Sequence, residues 1–128
     1  ATTEIYTLSL HDALPILLCA QGSVEARGLA RQLQTAAPHG APQVLLAGLQ
    51  VLGGLDGRRA LQGFAGPQLH LFAGADALVP AEVAGDLLAL RQSNGIGLIE
   101  DVSHAFPLEQ PGEVAAAILA FIDRDSDA

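Results

Sequence analysis

Two residues in the second half of this sequence have the chemistry of a proton-transfer pair, Asp76 and His104. A carboxylate that accepts a hydrogen bond from one imidazole nitrogen fixes the ring's tautomer. The other nitrogen is then free to act as a general base and later as a general acid. Asp76 stands in the stretch GADALVP and His104 in EDVSHAFPLEQP. Taken singly, an Asp in a glycine-rich loop is usually a turn residue, and a lone His is often a hydrogen-bonded filler. The case for a pair rests on the elements that position the two.

Gln68 to Ala73 reads as a short apolar strand, with Leu69, Leu71 and Ala73 on one side and His70 and Phe72 on the other. Apolar residues on both sides predict a strand covered on both faces, as in a parallel sheet. Pro80 opens a predicted helix through about Gln92, with Val83, Ala84, Leu87 and Leu88 inward. Asn94-Gly95 turns the chain into a second strand, Ile96 to Glu100. A loop from Asp101 to Gln110 follows, and Pro111 opens a last helix whose buried stripe is Val114, Ile118, Phe121 and Ile122. Alternation of strand and helix implies a right-handed βαβ unit with parallel strands. In such sheets reactive groups gather beyond the C-terminal ends of the strands, where Asp76 and His104 both fall. Neighbouring strands, ~5 Å apart, would bring the two loop tips together.

The first half reads differently. A helical pattern runs from Val24 to about Thr35, with Ser23 as its cap and Glu25 near its positive end. Arg27 and Arg31 share one face and Leu29 and Leu33 another. Pro38-His39-Gly40 breaks the chain. A second helix is predicted over Gln43 to Leu52, ended by Gly53-Gly54, and a short turn then leads to Leu61. Two short helices joined by loops fit a lid or cap rather than a sheet.

Composition narrows the classes. Half of the 128 residues are apolar and 16% are charged, as in a folded chain. The formal charge is −8 and all six basic residues are Arg, so no nucleic-acid or anionic-membrane binding is expected. The single cysteine, Cys19, forms no internal disulfide and is expected to be inert, and no His/Asp/Glu set has the spacing of a metal site. No apolar run is long enough to span a membrane. Adjacent His11 and Asp12 make a poor dyad, because neighbouring side chains diverge on any regular element. His39 is expected to be exposed and His70 to lie on a strand face beneath the site.

The stretch PQLHLFAGADALVP resembles the strand and acid loop of the α/β-hydrolases, and SHAFPLEQPGEVAAAILAFI resembles their catalytic-histidine loop and last helix. The resemblance covers roughly Pro67 to Ile122. It implies that Asp76 and His104 are the acid and the base of a Ser–Asp–His triad. Within that family the chain is similar to the esterases that cleave the methyl ester of pimeloyl-acyl carrier protein in biotin synthesis. EARGLARQLQ resembles the end of their cap, and VLLAGLQVLGGLDGRRALQGF their return from cap to core. On this resemblance Arg27 and Arg31 would contact the acidic carrier protein. Taken alone, they read as a solvated helix face. Phe106-Pro107 reverses the family's usual order, and Gly57 stands where a larger apolar residue is usual. There is no G-x-S-x-G elbow. Ser103, one residue from His104, is badly placed to attack and reads as loop structure.

Ala1 to Ile16, ATTEIYTLSLHDALPI, matches an in-frame translation of a sequencing-library adapter and is expected to be foreign to the protein. The expected organisation is therefore an artefactual stretch 1–16, the end of a helical cap over 17–66, and the C-terminal part of a hydrolase core over 67–128. The fold class is α/β: the last two parallel strands of an α/β-hydrolase with their helices, an incomplete domain. The expected function is that of a fragment of a cytoplasmic, monomeric serine carboxylesterase that needs no cofactor, takes a carrier-protein-bound methyl ester, and is inactive without its nucleophile. The alternatives are a fragment of another small-molecule hydrolase, such as an esterase or lactonase, and a non-catalytic α/β binding module.

Overall fold

The computed structural model describes residues 14–36, 41–91 and 95–126. The His11-Asp12 pair, the break at Pro38-His39-Gly40 and the turn residue Asn94 lie outside the described residues. Residues 14–20 are helical and lead through a turn into α1, Ala26–Ala36. Then come α2 (Pro42–Gly54), α3 (Arg58–Gly63), β1 (Leu69–Ala73), α4 (Val83–Leu90), β2 (Gly95–Ile99), α5 (Phe106–Glu109) and α6 (Pro111–Ser126).

The local causes are plain in several places. Ser23 Oγ accepts the Glu25 amide at 3.1 Å in the turn before α1, which begins at Ala26 rather than at the expected Val24. Leu29 is buried and Leu33 packs beside it one turn on, whereas Arg27 and Arg31 point outward. In α2 Pro42 sits in the first turn, where its missing N–H costs nothing. Pro111 opens α6 in a similar way, with Glu113 near the positive end and Arg124 near the negative end.

β1 and β2 pair in parallel, from Leu69 opposite Gly95 to Ala73 opposite Ile99, and the pairing order is β1-β2. The strand expected from Gln68 starts one residue later, and the one expected at Ile96 begins and ends one residue earlier. Two expectations are corrected more substantially. The helix after β1 begins at Val83 rather than Pro80, because residues 80–82 form turns with i to i+3 bonds, Val83 N to Pro80 O at 3.1 Å and Ala84 N to Ala81 O at 3.1 Å. The segments expected to be a short turn near Arg58 and a loop from Asp101 to Gln110 contain α3 and α5.

Burial concentrates in two small clusters. Ala73, Ile99 and Val102 form one, with Phe106 and Val114 against them. Ala20, Leu29, Ala30 and Ala105 form the other, with Ile16 and Leu33 against them. The loop after β2 contributes Val102 to the first cluster and Ala105 to the second, so His104 is held between them. Of the expected stripe on α6, Val114 is half-buried, but Ile118 and Ile122 are 42% and 51% exposed. Among the described residues no helix is long and apolar enough to cross a membrane.

Candidate active site

The site forms where β1 and β2 end side by side. Gly74 N donates to Ile99 O at 2.8 Å and Ala75 N to Val102 O at 3.0 Å, so the two exit loops are bonded to each other as they leave the sheet. The loops lie so close that a Cβ on Gly74 would sit 2.8 Å from a Glu100 carboxylate oxygen and 3.2 Å from Glu100 Cα. The turn before α1 also approaches them. Gly22, at φ +97, passes Ala75 so closely that a Cβ would lie 2.0 Å from the Ala75 carbonyl oxygen, an approach open only to glycine.

Asp76 and His104 meet at this point. His104 Nδ1 lies 2.9 Å from Asp76 Oδ2. The other carboxylate oxygen, Oδ1, accepts the Leu78 amide at 2.8 Å and the Val79 amide at 2.9 Å. Burial pushes the Asp76 carboxyl up, but the Val79 and Leu78 amides and His104 outweigh it and hold it below the ordinary carboxylate value. An ionised carboxylate only accepts, so Nδ1 carries the proton and donates it to Oδ2. The Nε2 lone pair is then available. The Asp76 side chain is 6% exposed and that of His104 is 40% exposed. The acid is enclosed and the ring faces outward, which is the asymmetry a proton carrier needs.

The segment around His104 is bonded on both sides. Ser103 is fully buried, and both its amide, at 2.8 Å, and its hydroxyl donate to Glu109 Oε1. Ala105 N donates to the Cys19 carbonyl at 3.2 Å. With its hydroxyl committed to Glu109, Ser103 does not face the ring as a nucleophile. Cys19 is half-buried, and burial followed by the Asp76 charge raises its thiol above the ordinary value, so it is held as the unreactive thiol. His70 is half-buried on β1, with Nε2 3.2 Å from Gln68 Oε1, and takes no part in the pair.

Arg27 and Arg31 do not join Asp76 and His104. They line a separate open cavity of about 320 Å³ with Ile16, Leu17, Ala30 and Gln34. Among the described residues no group of three or more His, Cys, Asp or Glu could hold a metal. Sequence reasoning missed Glu109 and the Leu78 and Val79 amides. The one available signal was the position of Glu109 five residues after His104, within reach of that loop's own backbone.

A βαβ unit with an acid after its first strand, bonded to a histidine after its second, makes this chain α/β-hydrolase-like, and its homologues are esterases of that class. It is similar to the biotin biosynthesis bifunctional protein BioHC of Cellvibrio japonicus (strain Ueda107), at 38% identity over 106 residues, 83% of this chain and 21% of that protein. It is also similar to the pimeloyl-acyl-carrier-protein methyl ester esterases of Vibrio vulnificus (strain CMCP6), at 36% identity over 94% of this chain and 49% of the relative, and of Vibrio cholerae serotype O1, at 41% over 69% and 36%. The chain spans about half the length of the Vibrio vulnificus esterase and about a fifth of the bifunctional protein. No family model matches the chain.

Proposed function

We propose that this chain is the acid-and-base portion of a serine carboxylesterase acting in biotin biosynthesis, and that the ester cleaved is the methyl ester of a pimeloyl group carried on acyl carrier protein. The observation that carries the reading is the 2.9 Å contact between Asp76 Oδ2 and His104 Nδ1 in a homologue of such esterases. The nucleophile is a serine outside these residues. Its hydroxyl attacks the ester carbonyl while His104 Nε2 takes the proton. His104 then returns that proton to the departing methoxy oxygen, releasing methanol and leaving an acyl-serine. Water deprotonated by His104 attacks the acyl-serine carbonyl, and His104 returns that proton to the departing serine oxygen, releasing the free acid. Asp76 stays ionised throughout, holding the tautomer and stabilising the imidazolium.

In this reading the exposed Arg27 and Arg31 meet the acidic carrier protein, and the whole enzyme works in the cytoplasm. The test uses the full-length enzyme. His104→Ala and Asp76→Asn are each expected to lower kcat by roughly 10³–10⁴-fold. Full activity in either variant would end the acid–base assignment. Arg27→Glu with Arg31→Glu is expected to cut kcat/KM on the carrier-linked ester by roughly tenfold or more while sparing a short free ester. Equal loss on both would replace the carrier-protein reading with that of a general small-molecule hydrolase.

A further inference from the structure

We propose that Glu109 is a positioning residue that holds His104 in register with Asp76, acting through Ser103. The inference deepens the acid–base reading of the pair and rests on it. His104 reaches Asp76 from an irregular loop, and an irregular segment is only as fixed as the partners of its backbone. On the N-terminal side of His104 the partner is one carboxylate oxygen. Glu109 Oε1 takes the Ser103 amide at 2.8 Å and the Ser103 hydroxyl, and Ser103 is fully enclosed, so no water can replace either bond. The same hydroxyl oxygen accepts the Ala105 amide at 3.3 Å, which closes the loop around His104. Glu109 also accepts a hydrogen bond from the Ser23 side chain, whose oxygen in turn accepts the Glu25 amide in the turn before α1.

One carboxylate, at the end of α5, thus ties the His104 loop just before it to the turn before α1, which is distant in sequence. Burial pushes the Glu109 carboxyl up, and the Ser103 and Ser23 bonds outweigh it, so it is held ionised as an acceptor. An acceptor that serves two enclosed donors cannot be removed without stranding both. The ring of His104, one residue away, would then lose the orientation that puts Nδ1 on Asp76.

The test is a proton and nitrogen NMR spectrum of the histidine rings in the full 128-residue chain, with His70 on β1 as an internal control. The Nδ1 proton bonded to Asp76 gives a downfield resonance, and Asp76→Asn is expected to remove or shift it. If Asp76→Asn leaves the His104 signals unchanged, the pair itself fails and Glu109 has nothing to position. Given a response to Asp76→Asn, Glu109→Ala is expected to abolish the same resonance and leave the His70 signals in place. An unchanged His104 in Glu109→Ala overturns the positioning role while the pair stands. Glu109→Gln keeps a carbonyl acceptor and is expected to retain the resonance, and a loss equal to that in Glu109→Ala overturns the acceptor role. Should Glu109→Ala also lose the His70 dispersion through unfolding, Ser103→Ala decides the matter. It removes the hydroxyl's bonds to Glu109 and to the Ala105 amide while keeping the Ser103 amide on Glu109, and must shift His104 without shifting His70, or the proposal fails.

Discussion

The loops that carry Asp76 and His104 and the helix α2 are both rich in small and apolar residues, yet they end in opposite states. In the loops Val102, Ser103 and Ala105 are buried, and bonds from Gly74, Ala75 and Ala105 reach carbonyls in other segments. In α2 Val44, Leu46, Leu49, Val51 and Leu52 are 57% to 76% exposed. A helix pairs its interior backbone groups within itself, whatever covers its side chains. A loop cannot, so its order is made by its partners. The site is therefore the part of the molecule whose geometry depends most on packing, and identical substitutions in the two regions should have different consequences.

The largest contrast is expected from glycine. Gly22→Ala forces an alanine to φ +97 and drives its Cβ to 2.0 Å from the Ala75 carbonyl. Strain and overpacking together should cost roughly 2–5 kcal/mol, read as a lower melting temperature. Gly48→Ala in α2 meets nothing within 4 Å and should stabilise by about 0.5–1 kcal/mol, since glycine is the poorer helix former. The same sign for both changes would break the comparison.

A smaller contrast comes from removing methyl groups. Val102 is 2% exposed beneath the His104 loop, and Val102→Ala should cost roughly 2 kcal/mol from lost burial and the cavity left behind. Val51 is 60% exposed, and Val51→Ala should change stability by less than about 0.5 kcal/mol. Denaturant midpoints for the two variants check this, and a comparable loss from Val51→Ala would mean that α2 is covered in solution.

What the sequence reveals follows the same division. β1 and β2 are legible to within a residue, because Pro67 and Gly95 bracket short apolar runs. The parallel pairing follows from the helix between them, and with it the approach of Asp76 to His104. α1 and α6 are legible from their periodicity, and α6 also from its start at Pro111, whereas α1 begins at Ala26, two residues after the expected Val24. The start of α4 is not, because Pro80 is as acceptable in a turn as in a first helical turn. Nor is α5, four residues long, which its own sequence cannot nucleate and which packs against α6. Periodicity on α6 identifies the face of Ile118 and Ile122 but cannot say what covers it. Glu109 is hidden for a related reason. Its role as an acceptor depends on where the Ser103 backbone points, and that is decided by contacts far away in sequence.

The last contrast is between two carboxylates, one in each kind of environment. Both are held below their ordinary value, so each contributes stability above the unfolded pKa that is lost as pH falls through the folded one. Asp76 is enclosed by His104 and the Leu78 and Val79 amides. Asp56, lowered to about 2 by hydrogen bonds from Arg58, is exposed, as is its partner. The stability of the chain should fall from about pH 4 downward as the ordinary carboxylate range is crossed. Asp76→Asn should flatten part of that fall at any ionic strength, because an enclosed bond is poorly screened. Asp56→Asn should flatten it little at low salt and still less in 1 M salt, where a Debye length of about 3 Å weakens exposed pairs. Thermal melts across this pH range at two salt concentrations separate the two. A salt-sensitive contribution from Asp76 would mean that its carboxylate is open to solvent and that the asymmetry between acid and ring does not hold.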